Sequence, residues 1–257
     1  MDFRKNLLPI QKKKTPKVIY FIHIPKTSGM SLKCVSKRIK FKSCGHNFNV
    51  ANSYRTPANK GGWSGYKSPY WPICRYPIKN NLKISIVRNP FDLLTSYYFH
   101  GVKLKPNKKY CHSGWASCNY THQFKSFGQF IKGYTDKKTK WHQPLFKQFL
   151  FSQLFNKNGE CVPDIIIKYE YLNDAIPILN KFFGHEVLKR VKNHKSNRKT
   201  KNYKEYYTDE LRELVSNKCK RELEAFGYTF DGSTNDCPFI FPKNLRYSIA
   251  NDKMILN

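Results

Sequence analysis

Two short segments carry residues whose types and spacing suit the handling of anions. The first is Phe21-Ile-His-Ile-Pro-Lys-Thr-Ser-Gly-Met-Ser-Leu32. Small residues around Gly29 let backbone N–H groups converge on a phosphate. Lys26 adds a point charge, and Thr27, Ser28 and Ser31 offer hydroxyl donors. The segment is not a Walker A loop, which sets its Lys after the second Gly of GxxxxGK[ST]. Here Lys26 precedes the only glycine of the loop, so ATP hydrolysis is disfavoured. The second segment is Ile84-Ser-Ile-Val-Arg-Asn-Pro-Phe-Asp-Leu-Leu-Thr-Ser-Tyr-Tyr98. Its Arg88 and Ser96 suit a second phosphate, the guanidinium through charge-assisted hydrogen bonds. Each also has a plainer reading: Ser96 bonding its own helix backbone, and Arg88 pairing with Asp92 one turn on.

The elements that must position these residues are legible around them. Val18-Ile-Tyr-Phe-Ile-His-Ile24 is a continuous apolar run rich in β-branched and aromatic residues, which predicts a strand buried on both faces. Residues 25–31 then turn, and residues 32–39 read as a helix, giving the strand–loop–helix layout of an anion cradle. Leu82–Val87 predicts a second strand, with Asn89 as N-cap and Pro90 in the first turn of the helix that follows. Ligands bind at the C-terminal edge of such sheets, where this strand delivers Arg88. Short helices are expected over 124–134 and 144–156, a third strand over 164–169, and a helix over 171–183 ending at Gly184. Thr208 caps a last helix with Leu211, Leu214, Val215, Cys219 and Leu223 on one face, stopped by Gly227. Residues 49–80, 101–123 and 189–204 read as loops. Strands alternating with helices predict an α/β fold with a mainly parallel central sheet flanked by helices.

Composition bounds what such a fold can be for. The chain has 257 residues, with 47 Lys+Arg against 17 Asp+Glu and a net charge of +30. With 40% hydrophobic and 16% aromatic residues it holds enough apolar material for a sizeable core, which excludes a disordered basic tail. The charge predicts an anionic partner or substrate, although any single lysine cluster reads equally as a solvated surface. No apolar run reaches the roughly 18 residues of a membrane span, and no signal peptide is visible at the start. The cytoplasm is therefore the default expectation. Eight cysteines contain no CxxC and no zinc spacing with histidine, so no metal is expected. Reduced thiols are the default, with Cys111 and Cys118 placed to bridge only in an oxidising compartment.

Together, Pro25-Lys-Thr-Ser-Gly-Met-Ser31 and Val87-Arg-Asn-Pro-Phe-Asp-Leu-Leu-Thr-Ser-Tyr-Tyr98 resemble the paired motifs of carbohydrate sulfotransferases that use 3′-phosphoadenosine 5′-phosphosulfate (PAPS). The resemblance is nearest to the branch of heparan-type uronosyl 2-O-sulfotransferases, whose pattern is PKTxGxS followed by VRxPxxRxxSxY. Looser similarity runs through Pro163-Asp-Ile-Ile-Ile-Lys-Tyr-Glu170 and from Asn197 to the last helix, covering most of residues 17–230. The resemblance implies a P-loop-like single domain over 17–232, with a basic arm at 1–16 and a C-terminal extension, 233–257, packing on the domain or mobile. It implies that Pro25, Lys26, Thr27, Ser28, Gly29, Met30 and Ser31 bind the 5′-phosphosulfate, and that Arg88 and Ser96 bind the 3′-phosphate. Asn197 and Arg198 fall where the family has a further donor-binding loop, although a solvated loop is an equal reading. Leu93 stands where the family often has Arg.

Sulfuryl transfer to a hydroxyl is an in-line displacement governed by positioning and charge neutralisation. By resemblance Lys26 neutralises the leaving phosphate, PAP is the product and no metal is needed. The acceptor proton requires a base. His46 occupies the family's position for it, between the motifs, while His23 and His100 compete, His23 reading equally as a packed core residue. The acceptor expected is a carbohydrate, an anionic polysaccharide fitting the charge. Rival readings are a nucleic-acid or polyanion-binding module, a nucleotide kinase, and a sulfotransferase fold without turnover. No RNP, zinc-finger or helix-turn-helix signature supports the first.

Overall fold

A computed structural model describes residues 16, 18–24, 26–27, 32–44, 82–103, 124–136, 151, 154–155, 160–190, 198–242, 245–248 and 253–256. In chain order its strands begin with β1 (Val18–Ile22), β2 (Leu32–Cys34), β3 (Lys40–Cys44) and β4 (Leu82–Val87). Helices α1 (Pro90–Lys103) and α2 (Phe127–Thr135) follow, then β5 (Ile165–Lys168), α3 (Leu172–Phe183) and β6 (Leu188–Arg190). The chain continues through α4 (Asp209–Lys218), α5 (Lys220–Phe226), β7 (Tyr228–Thr229), β8 (Gly232–Ser233) and β9 (Phe239–Ile240), ending in a β10 (Leu245–Ser248) and β11 (Lys253–Leu256) hairpin.

The central sheet has the order β3-β1-β4-β5-β9, parallel throughout except for β9, which runs antiparallel along β5. The protein is thus mixed α/β with a mainly parallel sheet. Its two faces explain the apolar runs. In β1, Ile19 and Phe21 enter one core and Tyr20 and Ile22 the other, and all four are buried. Ile84, Ile86, Ile165 and Ile167 join the first core, under Leu172, Ala175, Ile176 and Leu179 of α3. The second core packs Phe91 and Leu94 of α1, Phe130 and Ile131 of α2, Val215 of α4 and Phe226 of α5. Each such side chain contributes about 1.5–3 kcal/mol on leaving water. The segment after residue 232 supplies the edge strand β9.

Residues 32–39 do not form the expected helix. Leu32, Val35 and Ile39 have helical spacing, but Leu32 and Ile39 are buried in the α3-side core while Val35 is exposed. Strand β2 instead pairs antiparallel with β6, Leu32 opposite Arg190 and Cys34 opposite Leu188, and the Val35 N–H continues the ladder to the Val187 carbonyl. Tertiary pairing outweighs a weak local preference. The last helix is likewise two: Thr208 caps α4, its side chain accepting from the Leu211 N–H, and the chain breaks at Cys219 before α5 ends at a left-handed Gly227. The expected helix over 144–156 lies largely outside the described residues; within it, Phe155 bridges antiparallel to Cys161. Among the described residues no helix is long and apolar enough to cross a membrane.

Candidate active site

Strand β1 has β3 on one side and β4 on the other, and β4 is followed in the sheet by β5. The connections leaving β1 and β4 therefore run in opposite directions, and the crevice between their C-terminal ends is the switch point where open α/β sheets take ligands. The residues following β1 and β4, Lys26 and Arg88 among them, stand there.

After β1 the chain turns at once. The Thr27 hydroxyl donates to the Ile24 carbonyl at 2.8 Å, and Lys26 adopts φ 65°, the sole non-glycine with positive φ among the described residues. A lysine in this region carries a strain of about 1–3 kcal/mol, which surrounding contacts must hold. One of them comes from β4: Arg88 Nη1 donates to the Lys26 carbonyl at 3.0 Å. Ser85 reinforces the same strand pair, its buried hydroxyl donating to the Ile22 carbonyl at 2.7 Å.

The start of α1 is fixed as the sequence predicts. Asn89 Oδ1 accepts from the Phe91 N–H at 3.1 Å, and its carbonyl accepts from the Leu93 N–H. The Asn89 side chain also donates to the Thr229 carbonyl at 2.8 Å, while its backbone N–H donates to Glu170 at 2.8 Å. Glu170 in turn accepts from the Tyr228 hydroxyl at 2.9 Å, and burial pushes that phenol up, with the carboxylate adding to the shift. Three strand ends are so tied together.

Arg88 is 8% exposed. Its Nε and Nη2 both reach Asp92 Oδ2 at 2.6 Å, and its guanidinium lies 4.2 Å from the centre of the Tyr169 ring. Arg198 arrives from the far end of the chain. Its Nη1 reaches Asp92 Oδ1 at 2.5 Å and its Nη2 the Asp92 carbonyl at 2.8 Å. Ser96, half-buried, lies one helical turn beyond Asp92. Leu93 is fully buried in the core behind α1, so this position serves packing here.

The structure thus links Lys26, Arg88 and Arg198 through Asp92, with Thr27 next to Lys26 and Ser96 one turn along α1. His23 sits just past β1, 4% exposed, its ring stacked on Phe21 at 5.6 Å. His100 lies on α1. Pro25, Ser28, Gly29, Met30, Ser31, His46 and Asn197 lie outside the described residues. The chain leaves the loop as β2, so no helix at residue 32 directs its dipole at a bound anion. The two paired motifs do not include Tyr169, which falls only in the looser similarity over 163–170, and they offer Asp92 only as a competing partner for Arg88. The apolar run before Tyr169, which marks a buried strand end, is the one signal that points to it. Among the described residues no cluster of His, Cys, Asp and Glu is placed to hold a metal ion.

Arginine, lysine and hydroxyl side chains stand at the switch point of a mixed α/β sheet. The family model for sulfotransferases matches residues 13–229, and the chain belongs to the sulfotransferase family. No curated protein and no solved structure matches it.

Proposed function

We propose that this sulfotransferase moves the sulfuryl group of PAPS to a hydroxyl of a carbohydrate acceptor, in the manner of the heparan-type 2-O branch. The observation that carries the reading is the Arg88–Lys26 hydrogen bond, which joins the two motifs at the switch point of the sheet. A donor with phosphate at both the 3′ and 5′ positions needs two anion subsites side by side. The residue 25–31 loop, acting as a P-loop-like cradle, serves the 5′-phosphosulfate, and Arg88 and Ser96 serve the 3′-phosphate, with Asn197 and Arg198 beside them. The unit responsible is residues 17–232, with 1–16 as a basic arm and 233–257 as a C-terminal extension, whose Phe239–Ile240 joins the central sheet.

In the reaction the acceptor oxygen attacks sulfur as the bond from sulfur to the 5′-phosphate oxygen breaks. The acceptor proton passes to a base, His46 in this reading and His23 in its alternative. Charge grows on the departing phosphate oxygen, where the Lys26 ammonium stabilises it, an effect worth about 10²–10³-fold for a single well-placed donor. PAP then leaves. The net charge of +30 suits an anionic polysaccharide as acceptor.

The test is transfer of labelled sulfuryl from PAPS to O-desulfated heparin by the full chain. Label should reach the polysaccharide from PAPS and not from adenosine 5′-phosphosulfate, which lacks the 3′-phosphate. No transfer, or equal transfer from both donors, contradicts the proposal.

A further inference from the structure

We propose that Asp92 is a positioning residue of the donor site, holding Arg88 and Arg198 as one rigid unit that reads the donor's 3′-phosphate. This rests on the donor reading above and extends it to a residue that reading leaves out. The two arginines lie far apart in the chain, yet they meet on a single carboxylate. Oδ2 takes two nitrogens of Arg88, Oδ1 takes Arg198, and the Asp92 carbonyl takes Arg198 again. Asp92 is 9% exposed, so these contacts form away from bulk water, where charge-assisted bonds are strong and hold side chains in one rotamer.

Three further contacts show what the carboxylate organises. Arg88 also holds the Lys26 carbonyl, so fixing Arg88 fixes the turn at Lys26 and Thr27. The segment carrying Arg198 docks on the same end of α1, where the Tyr207 hydroxyl donates to the Phe91 carbonyl at 2.9 Å and Asn89 Nδ2 donates to the Tyr203 hydroxyl at 3.3 Å. Ser96 stands one turn along the helix from Asp92. The carboxylate thus lies at the centre of every described segment assigned to the donor. A guanidinium held in advance loses less side-chain freedom on meeting phosphate, and that saving appears as affinity. A flexible pair of arginines would bind any anion; a fixed pair prefers the one whose geometry it matches.

The experiment is titration calorimetry of PAP and of ADP, which lacks the 3′-phosphate, on wild type, Asp92→Asn and Asp92→Glu. Asp92→Asn keeps the size of the side chain and removes its charge. It is expected to weaken PAP by about 10–100-fold, the scale on which supporting residues act on a site, and to weaken ADP, which meets only the Lys26 turn, by much less, so that preference falls. Asp92→Glu restores part of that preference. Parallel weakening of both nucleotides, or an unchanged preference, overturns the proposal. Should Asp92→Asn fail to fold, Asp92→Glu decides, since it keeps the charge and shifts the carboxylate: a preference for PAP below wild type supports the positioning role and an unchanged one overturns it. A wild type that binds PAP and ADP alike overturns the donor reading itself, an outcome distinct from a discriminating wild type whose variants discriminate equally.

Discussion

The guanidinium of Arg88, at the end of β4, donates to the carbonyl of Lys26 in the turn that follows β1. That single bond joins two segments far apart in the chain, and it holds Lys26 in a left-handed conformation that lysine rarely adopts. The loop and the strand end are therefore one structure. Changing either one changes the other.

The histidines are expected to separate by role. His46→Ala is expected to lower sulfuryl transfer by about 10²–10⁴-fold, the usual contribution of a general base, with PAP affinity retained. His23→Ala is expected to act on stability, because its ring is buried against Phe21. A thermal melt and a turnover assay on each variant check this. Full turnover in His46→Ala contradicts the assignment.

Lys168 gives a pH dependence of known sign. The residue is 1% exposed, and its amine donates to Ser233 at 2.6 Å and to Asn235 at 3.0 Å, 5.3 Å from the Tyr228 ring centre. Burial holds its pKa below the ordinary 10.5, against the pull of Cys237, Glu170 and Asp236. The folded protein therefore sheds this proton at a lower pH than the unfolded chain does. Between those two values the unfolded chain binds more protons, so stability rises with pH. Melting curves from neutral to alkaline pH should show wild type gaining on Lys168→Met as pH increases toward 10.5. Parallel curves contradict it.

Two helix-ending glycines should differ in cost. Gly184 closes α3 at φ 72° with open space around an added Cβ, while at Gly227, φ 64°, that Cβ would lie 2.7 Å from Thr234 Oγ1. Gly184→Ala is expected to cost about 1 kcal/mol from the left-handed backbone alone. Gly227→Ala should cost clearly more, since the Thr234 side chain must also give way. Denaturant unfolding of both variants compares them directly, and equal costs would contradict the close approach.

Much of this arrangement is legible in the residues themselves. Strand β1 stands out because both its faces are buried, which leaves a run without polar interruption. The start of α1 is legible from Asn89 and Pro90, since capping is a local act of adjacent residues. Leu32 to Ile39 mislead because helical spacing there reflects two separate anchors in one core, the first inside β2, whose partner β6 lies far along the chain. Long-range pairing leaves no local mark. Asp92 is visible as a partner for Arg88 through their spacing of one turn, but nothing near it in the chain announces Arg198. The legible site residues come as a pair of motifs. What joins them, the Arg88 bond to a carbonyl, involves no side chain at Lys26 that a pattern could record.

The central claim is a subsite for the 3′-phosphate at Arg88, and thermal unfolding of the full chain with PAP against ADP tests it most directly. A ligand at 100 times its dissociation constant adds about 2.7 kcal/mol, a rise in Tm of roughly 5–10 °C for a protein of this size. The account predicts that rise with PAP, little with ADP, and its loss in Arg88→Ala. Equal rises with both nucleotides, persisting in Arg88→Ala, would mean that a basic surface binds anions without a built site and would contradict it.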